Sequence, residues 1–166
     1  SLGLNLAGAG ILIGQWDGGG VLTSHQELVG RVTQKDIPGS IIDHATLVAG
    51  TMIATGIVPS AKGMAYQGSL NAYDWNYDTS EMATAAAAGL LLSNHSYGYA
   101  NGWEYNFFGD GRWIWYGDFD YSLTENYRFG LYTLFTQEYD LIAFNAPYFL
   151  IVKGVGNDRD DAGPPA

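Results

Sequence analysis

The chain has 166 residues, 47% of them hydrophobic, with a formal net charge of −10 at pH 7 and no cysteine. That apolar content excludes intrinsic disorder, and a domain of this length buries roughly 70% of the surface its unfolded chain exposes. The acidic balance, without any Lys/Arg cluster, argues against nucleic acid and anionic membrane surfaces as partners, and the lack of cysteine removes disulfides and thiol chemistry.

Residues 11–16 form a short apolar run closed by Asp17-Gly18-Gly19-Gly20, the pattern of a buried strand feeding a loop. A polar stretch, 23–40, follows and contains the turn signal Pro38-Gly39. Residues 44–55 place Val48, Ala49, Met52 and Ile53 on one helical face, with Asp43 as the expected N-cap and Gly56 as the stop. Residues 70–75 alternate as a strand does, and Asp78-Thr79-Ser80-Glu81 opens an Ala-rich helix to about Ala88, stopped by Gly89. Residues 90–97 read as another strand. Between Tyr97 and Tyr132 lie 14 of the 24 aromatic residues, an uneven placement that sets this segment apart in composition. In it, Asn101-Gly102 and Asp110-Gly111 each predict a hairpin turn. Residues 136–145 predict a helix that stops before Pro147, and 148–152 a buried strand ending at Gly154-Val155-Gly156-Asn157-Asp158. Strands alternating with helices predict an α/β fold: a mainly parallel sheet with helices on both faces. The longest apolar run, 82–92, is too short to span a bilayer, and with no basic n-region at its Ser1 start the chain is read as carrying no recognisable signal peptide. The start at Ser1 suggests that something upstream was removed, and the polar end at 158–166 suggests a chain cut inside a loop.

In such sheets functional groups collect at the carboxyl ends of the strands. Asp17, Ser96-Tyr97-Gly98 and Asn157 stand at three of these ends, and His44 opens a helix facing the same rim. An Asp that holds one ring nitrogen of a His leaves the other free to take a proton from a nucleophile. An Asn amide nearby could donate to a developing oxyanion. Taken singly, each residue has an ordinary reading. An Asp before three glycines is a turn residue, a His at a helix start is a satisfied polar group, and Asn-Asp is a common loop pair.

Their neighbours are what resemble a known family. Ile13-Gly14-Gln15-Trp16-Asp17-Gly18-Gly19 is similar to the subtilisin-like serine proteases' strand ending in Asp-Thr/Ser-Gly. His25-Gln26-Glu27-Leu28 resembles their His-Pro-x-Leu, and His44-Ala45-Thr46-Leu47-Val48-Ala49-Gly50-Thr51 their His-Gly-Thr-His-Val-Ala-Gly-Thr. Gly63-Met64-Ala65 looks like Gly-Val-Ala-Pro, Asn94-His95-Ser96-Tyr97-Gly98 like Asn-Met-Ser-Leu-Gly, and Gly154-Val155-Gly156-Asn157-Asp158 like Ala-Ala-Gly-Asn-Asp/Glu. All occur in the family's order, from about Ile11 to Asp158, around the aromatic insertion at about 99–129. The resemblance implies a subtilisin-like fold, and a single peptidase domain of which residues 1–166 are the N-terminal part. It makes Asp17 and His44 catalytic, Asn157 the oxyanion donor, and Ser96, Tyr97 and Gly98 the segment that pairs with substrate backbone. The implied partners are a protein or peptide substrate and a C-terminal portion of the same precursor carrying the nucleophilic Ser. The implied location is secreted or cell-surface, in a bacterium.

Departures accompany the matches. Gly18, Ala45 and Leu47 replace Thr/Ser, Gly and the second His, Tyr97 replaces a small or aliphatic residue, and no Gly-Thr-Ser-x-Ala segment occurs in these residues. The rival class is therefore a catalytically inactive, protease-like binding module displaying the aromatic insertion. That insertion reads as a wall or lid over a cleft, as a sugar-binding platform, or as rings packed on one another and on the missing half of the domain. The residues establish no cofactor; a structural calcium at Asp158, Asp160 and Asp161 is the one considered, against the simpler reading of a solvated acidic loop. The histidines at 25, 44 and 95 show no metal-ligand spacing. Gly8-Ala9-Gly10 precedes a strand instead of following one, which argues against a dinucleotide loop. Asn94-His95-Ser96 fits a glycosylation sequon but lies in a predicted strand.

Overall fold

The computed structural model describes residues 6–157 and 162–164. In chain order its main elements are β1 (Leu12–Asp17), β2 (Val32–Gln34), α1 (Asp43–Ile53), β3 (Ser69–Asp74), α2 (Asp78–Ala87) and β4 (Leu92–His95). These are followed by β5 (Trp103–Tyr105), β6 (Trp113–Trp115), α3 (Leu134–Asn145) and β7 (Leu150–Lys153). The chain forms two compact units, one comprising Ser1–Ser96 with Glu138–Lys153 and the other Tyr97–Gln137 with Gly154–Ala166.

The first unit is built on five parallel strands in the order β2-β3-β1-β4-β7. Successive strand residues face opposite sides of a sheet, so Gln15 and Trp16 report the two layers. The Gln15 amide bonds the Ala45 carbonyl of α1, and the Trp16 indole N–H donates to Glu81 of α2. On the α1 side Ile13, Leu70 and Ala72 of the sheet close on Ala45, Ala49 and Ile53, with Val21 and Leu28 completing the core. Each such buried Leu or Ile contributes about 1.5–3 kcal/mol. On the other side Trp16 lies flat on Tyr73 at 4.3 Å. Gly14 is what admits that indole, since a Cβ there would fall 2.6 Å from the Trp16 ring.

Local signals placed most of these elements, with instructive exceptions. Asp43 is not the N-cap of α1. The cap is Ile42, in extended conformation and without a side-chain cap bond, and Asp43 occupies the first turn, where a carboxylate complements the helix dipole. The polar stretch 23–40 contains β2, which three half-exposed edge residues do not announce by any apolar period. Past α1, the turn at Gly56 is held by Glu27, a buried carboxylate that accepts the backbone N–H groups of Val58, Gly56 and Ile57 at 2.8, 2.6 and 3.1 Å. Those bonds, Val58's foremost, hold the Glu27 carboxyl below its ordinary pKa. The resulting stability is therefore present above the unfolded value of 4.5 and lost as pH falls.

The strand expected over 148–152 forms, as β7, but it is not buried in these residues. Among the described residues β7 pairs only with β4 and forms the sheet edge, leaving Leu150 and Val152 exposed. An apolar edge strand with unpaired backbone groups templates association. Residues 1–166 prepared alone should therefore show concentration-dependent self-association in sedimentation velocity. Val152→Lys, a charge on that edge, should shift the distribution toward monomer. A monodisperse unsubstituted chain would refute this.

The second unit contains a hairpin in which β5 and β6 pair antiparallel, with Trp103 opposite Trp115. Asp110-Gly111 lies in the connecting loop as expected, where Asn106 adopts positive φ and its Oδ1 accepts the Gly111 N–H. Asn101-Gly102 is not a hairpin turn. It precedes β5, and the Gly102 carbonyl accepts the Tyr116 N–H, extending the pairing instead of reversing it. The Trp103 ring packs against both Trp113 and Trp115, and Phe107 against Phe108 and Tyr116. Rings thus pack on one another within this segment, while Phe108, Phe119 and Tyr121 remain exposed.

Candidate active site

Strand order singles out one position. The chain leaves β1 to build β3 and β2 on one side, then returns to build β4 and β7 on the other. The carboxyl end of β1 is therefore a topological switch point, where neighbouring connections diverge and leave a crevice. Asp17 is the last residue of β1 and only 2% exposed.

His44, the second residue of α1, meets it there. Its Nδ1 lies 2.8 Å from Asp17 Oδ1 and 3.0 Å from Oδ2. Oδ1 also accepts the Gly18 N–H at 2.7 Å, so the carboxylate is fixed in direction before the ring is placed. The side chain of His44 is half exposed while that of Asp17 is buried. A buried acceptor at Nδ1 selects the tautomer that carries its proton there, leaving Nε2 as the basic nitrogen. This is the geometry of a base with its orienting carboxylate. Gly18, where the resembling family carries Thr or Ser, has little space, since a Cβ would sit 3.1 Å from the Trp75 ring and 3.4 Å from Ile42.

Ser96 directly follows β4, whose His95 pairs in register with Trp16, and so belongs to the same rim of the sheet. Its Oγ donates to Asn94 Oδ1 at 3.1 Å. The structure thus brings together Asp17, His44 and Ser96 in one unit. Tyr97, Gly98 and Asn157 belong to the second unit, with Tyr97 half-buried and Gly98 and Asn157 exposed. The candidate calcium ligands Asp158, Asp160 and Asp161 lie outside the described residues. Among the described residues no group of three or more His, Asp or Glu is arranged to hold a metal ion, and no helix is long and apolar enough to cross a membrane.

One residue of the site is not among those singled out by motif. Gln15 is fully buried on the same face of β1 as Asp17, two positions earlier, and its Nε2 donates to the Ala45 carbonyl at 2.8 Å. That bond ties the first turn of α1, adjacent to His44, to the strand that carries Asp17. Its Oε1 is buried without a partner among the described residues, a cost of about 1–3 kcal/mol that an apolar residue would avoid. An amide inside the apolar run 11–16 was the available signal. Gln15 thereby fixes the first turn of α1 against β1. Gln15→Leu should leave stability within about 1 kcal/mol, because the amide and its orphan oxygen go together. The His44 Nδ1–H should nevertheless exchange with solvent roughly tenfold faster in NMR spectra, tenfold corresponding to about 1.4 kcal/mol. Unchanged exchange would show the amide to be packing only.

Comparison with protein-family models finds no match to this chain, and comparison with curated protein sequences finds none either.

Proposed function

We propose that the chain supplies the Asp and His of a serine endopeptidase of subtilisin-like fold, acting on protein or peptide substrates outside a bacterial cell. The single observation that carries this is the Asp17–His44 pair, in that chain order, at the switch point of a parallel sheet. A Ser hydroxyl, supplied by polypeptide beyond these residues, attacks the scissile carbonyl carbon while His44 Nε2 takes its proton. Asp17 accepts the Nδ1–H throughout and stabilises the imidazolium that forms. The Asn157 side-chain amide donates to the tetrahedral oxyanion; in subtilisin, removing the corresponding donor costs about 10²–10³ in rate. His44 then returns the proton to the leaving amine as the C–N bond breaks, and water hydrolyses the acyl-enzyme by the same route. Ser96, Tyr97 and Gly98 pair with the substrate backbone, the Tyr97 ring narrowing the space for a substrate side chain.

The test is incubation of the complete polypeptide with a serine-directed fluorophosphonate, alongside hydrolysis of an unstructured protein substrate. Covalent labelling at a single Ser with parallel loss of hydrolysis is expected. Absence of both would overturn the proposal in favour of the catalytically inactive binding module.

A further inference from the structure

We infer that the second unit carries a binding site for an uncharged sugar, one pyranose ring of a glycan. The inference is independent of the Asp17–His44 pair, which belongs to the first unit. The site is a pocket of about 430 Å³ lined by Tyr116, Asp118, Phe119, Asp120, Tyr127 and Arg128, together with Gly117.

Two unpaired hydrogen-bond donors stand next to this lining. Trp115 is 8% exposed and Asn126 1%, and among the described residues neither Trp115 Nε1 nor Asn126 Nδ2 has a partner. Nε1 lies against Gly117, where a Cβ would come within 2.7 Å of it. Asn126 precedes Tyr127, and its Oδ1 accepts the Arg128 N–H at 3.0 Å, which fixes the amide against the turn that carries both lining residues. Buried donors are ordinarily paired, so two left over beside one pocket call for acceptors brought from outside.

The lining decides which acceptors fit. Asp118 and Asp120 repel a carboxylate or phosphate, and Arg128 repels a simple cation. Among the described residues no ion pair joins Arg128 to either carboxylate. Each side is tethered locally instead: the Asp120 N–H donates to Asp118 Oδ1 at 2.9 Å, and Arg128 Nε donates to the Tyr127 hydroxyl at 3.2 Å. Opposite charges that line one pocket without pairing suit a group that donates to the carboxylates and accepts from the guanidinium. A hydroxyl does both, and it also accepts from an indole or amide N–H. Aromatic rings supply the remaining contact. Phe119 is 65% exposed and, unlike Tyr116 and Tyr127, packs on no other ring among the described residues. The negative face of such a ring attracts the polarised C–H groups of a pyranose. Several hydroxyls on a ring with a C–H face meet all three kinds of group at once.

The experiment follows the Trp115 indole N–H resonance of the complete polypeptide, identified by its loss in Trp115→Phe, during titration with the methyl pyranosides of glucose, galactose and mannose. Cyclohexanol, a six-membered ring with one hydroxyl, and alanine, a zwitterion, serve as controls. A saturable downfield shift with at least one pyranoside and with neither control is expected, as the N–H gains an acceptor. Phe119→Ala should weaken that binding at least about tenfold, an effect near 1.4 kcal/mol, and Phe119→Trp should restore it. Asp120→Ala should weaken it by a similar factor. Both side chains are exposed, so these variants should fold like the unsubstituted protein. A resonance unmoved by all three pyranosides would assign the two donors to ordered water and overturn the proposal. Shifts that fail to saturate, that appear equally with the controls, or that survive both alanine substitutions would also overturn it. None of these readouts depends on peptide hydrolysis, so failure here is distinguishable from failure of the protease proposal.

Discussion

Replacing His44 with Ala should lower fluorophosphonate labelling and peptide hydrolysis by the complete polypeptide by about 10⁴-fold or more, the loss typical when the base of a triad is removed. The size follows from His44's two tasks. It takes the nucleophile's proton as attack begins and returns it to the leaving amine, and no other titratable group among the described residues lies within hydrogen-bond reach of Asp17. Asp17→Asn should be damaging for a different reason. The side-chain oxygen can still accept the Gly18 N–H, but an amide facing Nδ1 favours the tautomer whose proton sits on Nε2, which then cannot act as base. The two variants should fold like the unsubstituted protein, because His44 is half exposed and Asn matches Asp in shape. Labelling retained at full rate in His44→Ala, in a correctly folded protein, would remove His44 from the mechanism.

Acid sensitivity should trace to His95, which is fully buried on the far face of β4. Its Nε2 lies 3.0 Å from Ser93 Oγ, its ring is stacked on Trp16 at 5.2 Å, and Tyr139 meets it edge-on. Burial, reinforced by Lys153 and opposed by Asp78, pushes its pKa down to about 4 from an ordinary 6.5. The unfolded chain therefore binds a proton as pH falls below 6.5, whereas the folded chain resists until about 4. Stability from this group is full above 6.5 and drains between 6.5 and 4, by roughly 3 kcal/mol across the window. Glu81 works in the other direction. Its raised pKa means that the folded state protonates first and gains stability as pH falls. Comparing urea unfolding at pH 7 and pH 5 in the unsubstituted protein and in His95→Gln separates the two, since Glu81 is common to both. The pH-dependent loss should shrink markedly in the variant. An equal loss in both would show that the acid sensitivity resides elsewhere.

Much of this architecture was legible in the residues. Apolar runs closed by turn residues located β1 and β4, and the spacing of Ala49, Met52 and Ile53 located α1. Asp17 after a strand and His44 at a helix start were visible as a potential pair because motif, strand end and helix start are all local features. Gln15 was not, since an amide in an apolar run tells nothing of the carbonyl it will reach. Glu27 was hidden for the same reason, its three N–H donors lying about thirty residues away in sequence.

The α/β class, the succession of strands and helices, and the two residues that meet at the end of β1 all follow from the residues in their order. Periodicity, caps and turns are properties of neighbouring residues, and those are read directly. It took the folded chain to show that β1 lies between β3 and β4, and that Asp17 and His44 close to 2.8 Å. The same holds for the exposed edge at β7. Strand pairing uses backbone groups that every residue shares, so order and edges are set by which arrangement buries the most apolar surface across the unit. That sum over distant contacts is not contained in any local stretch of the chain.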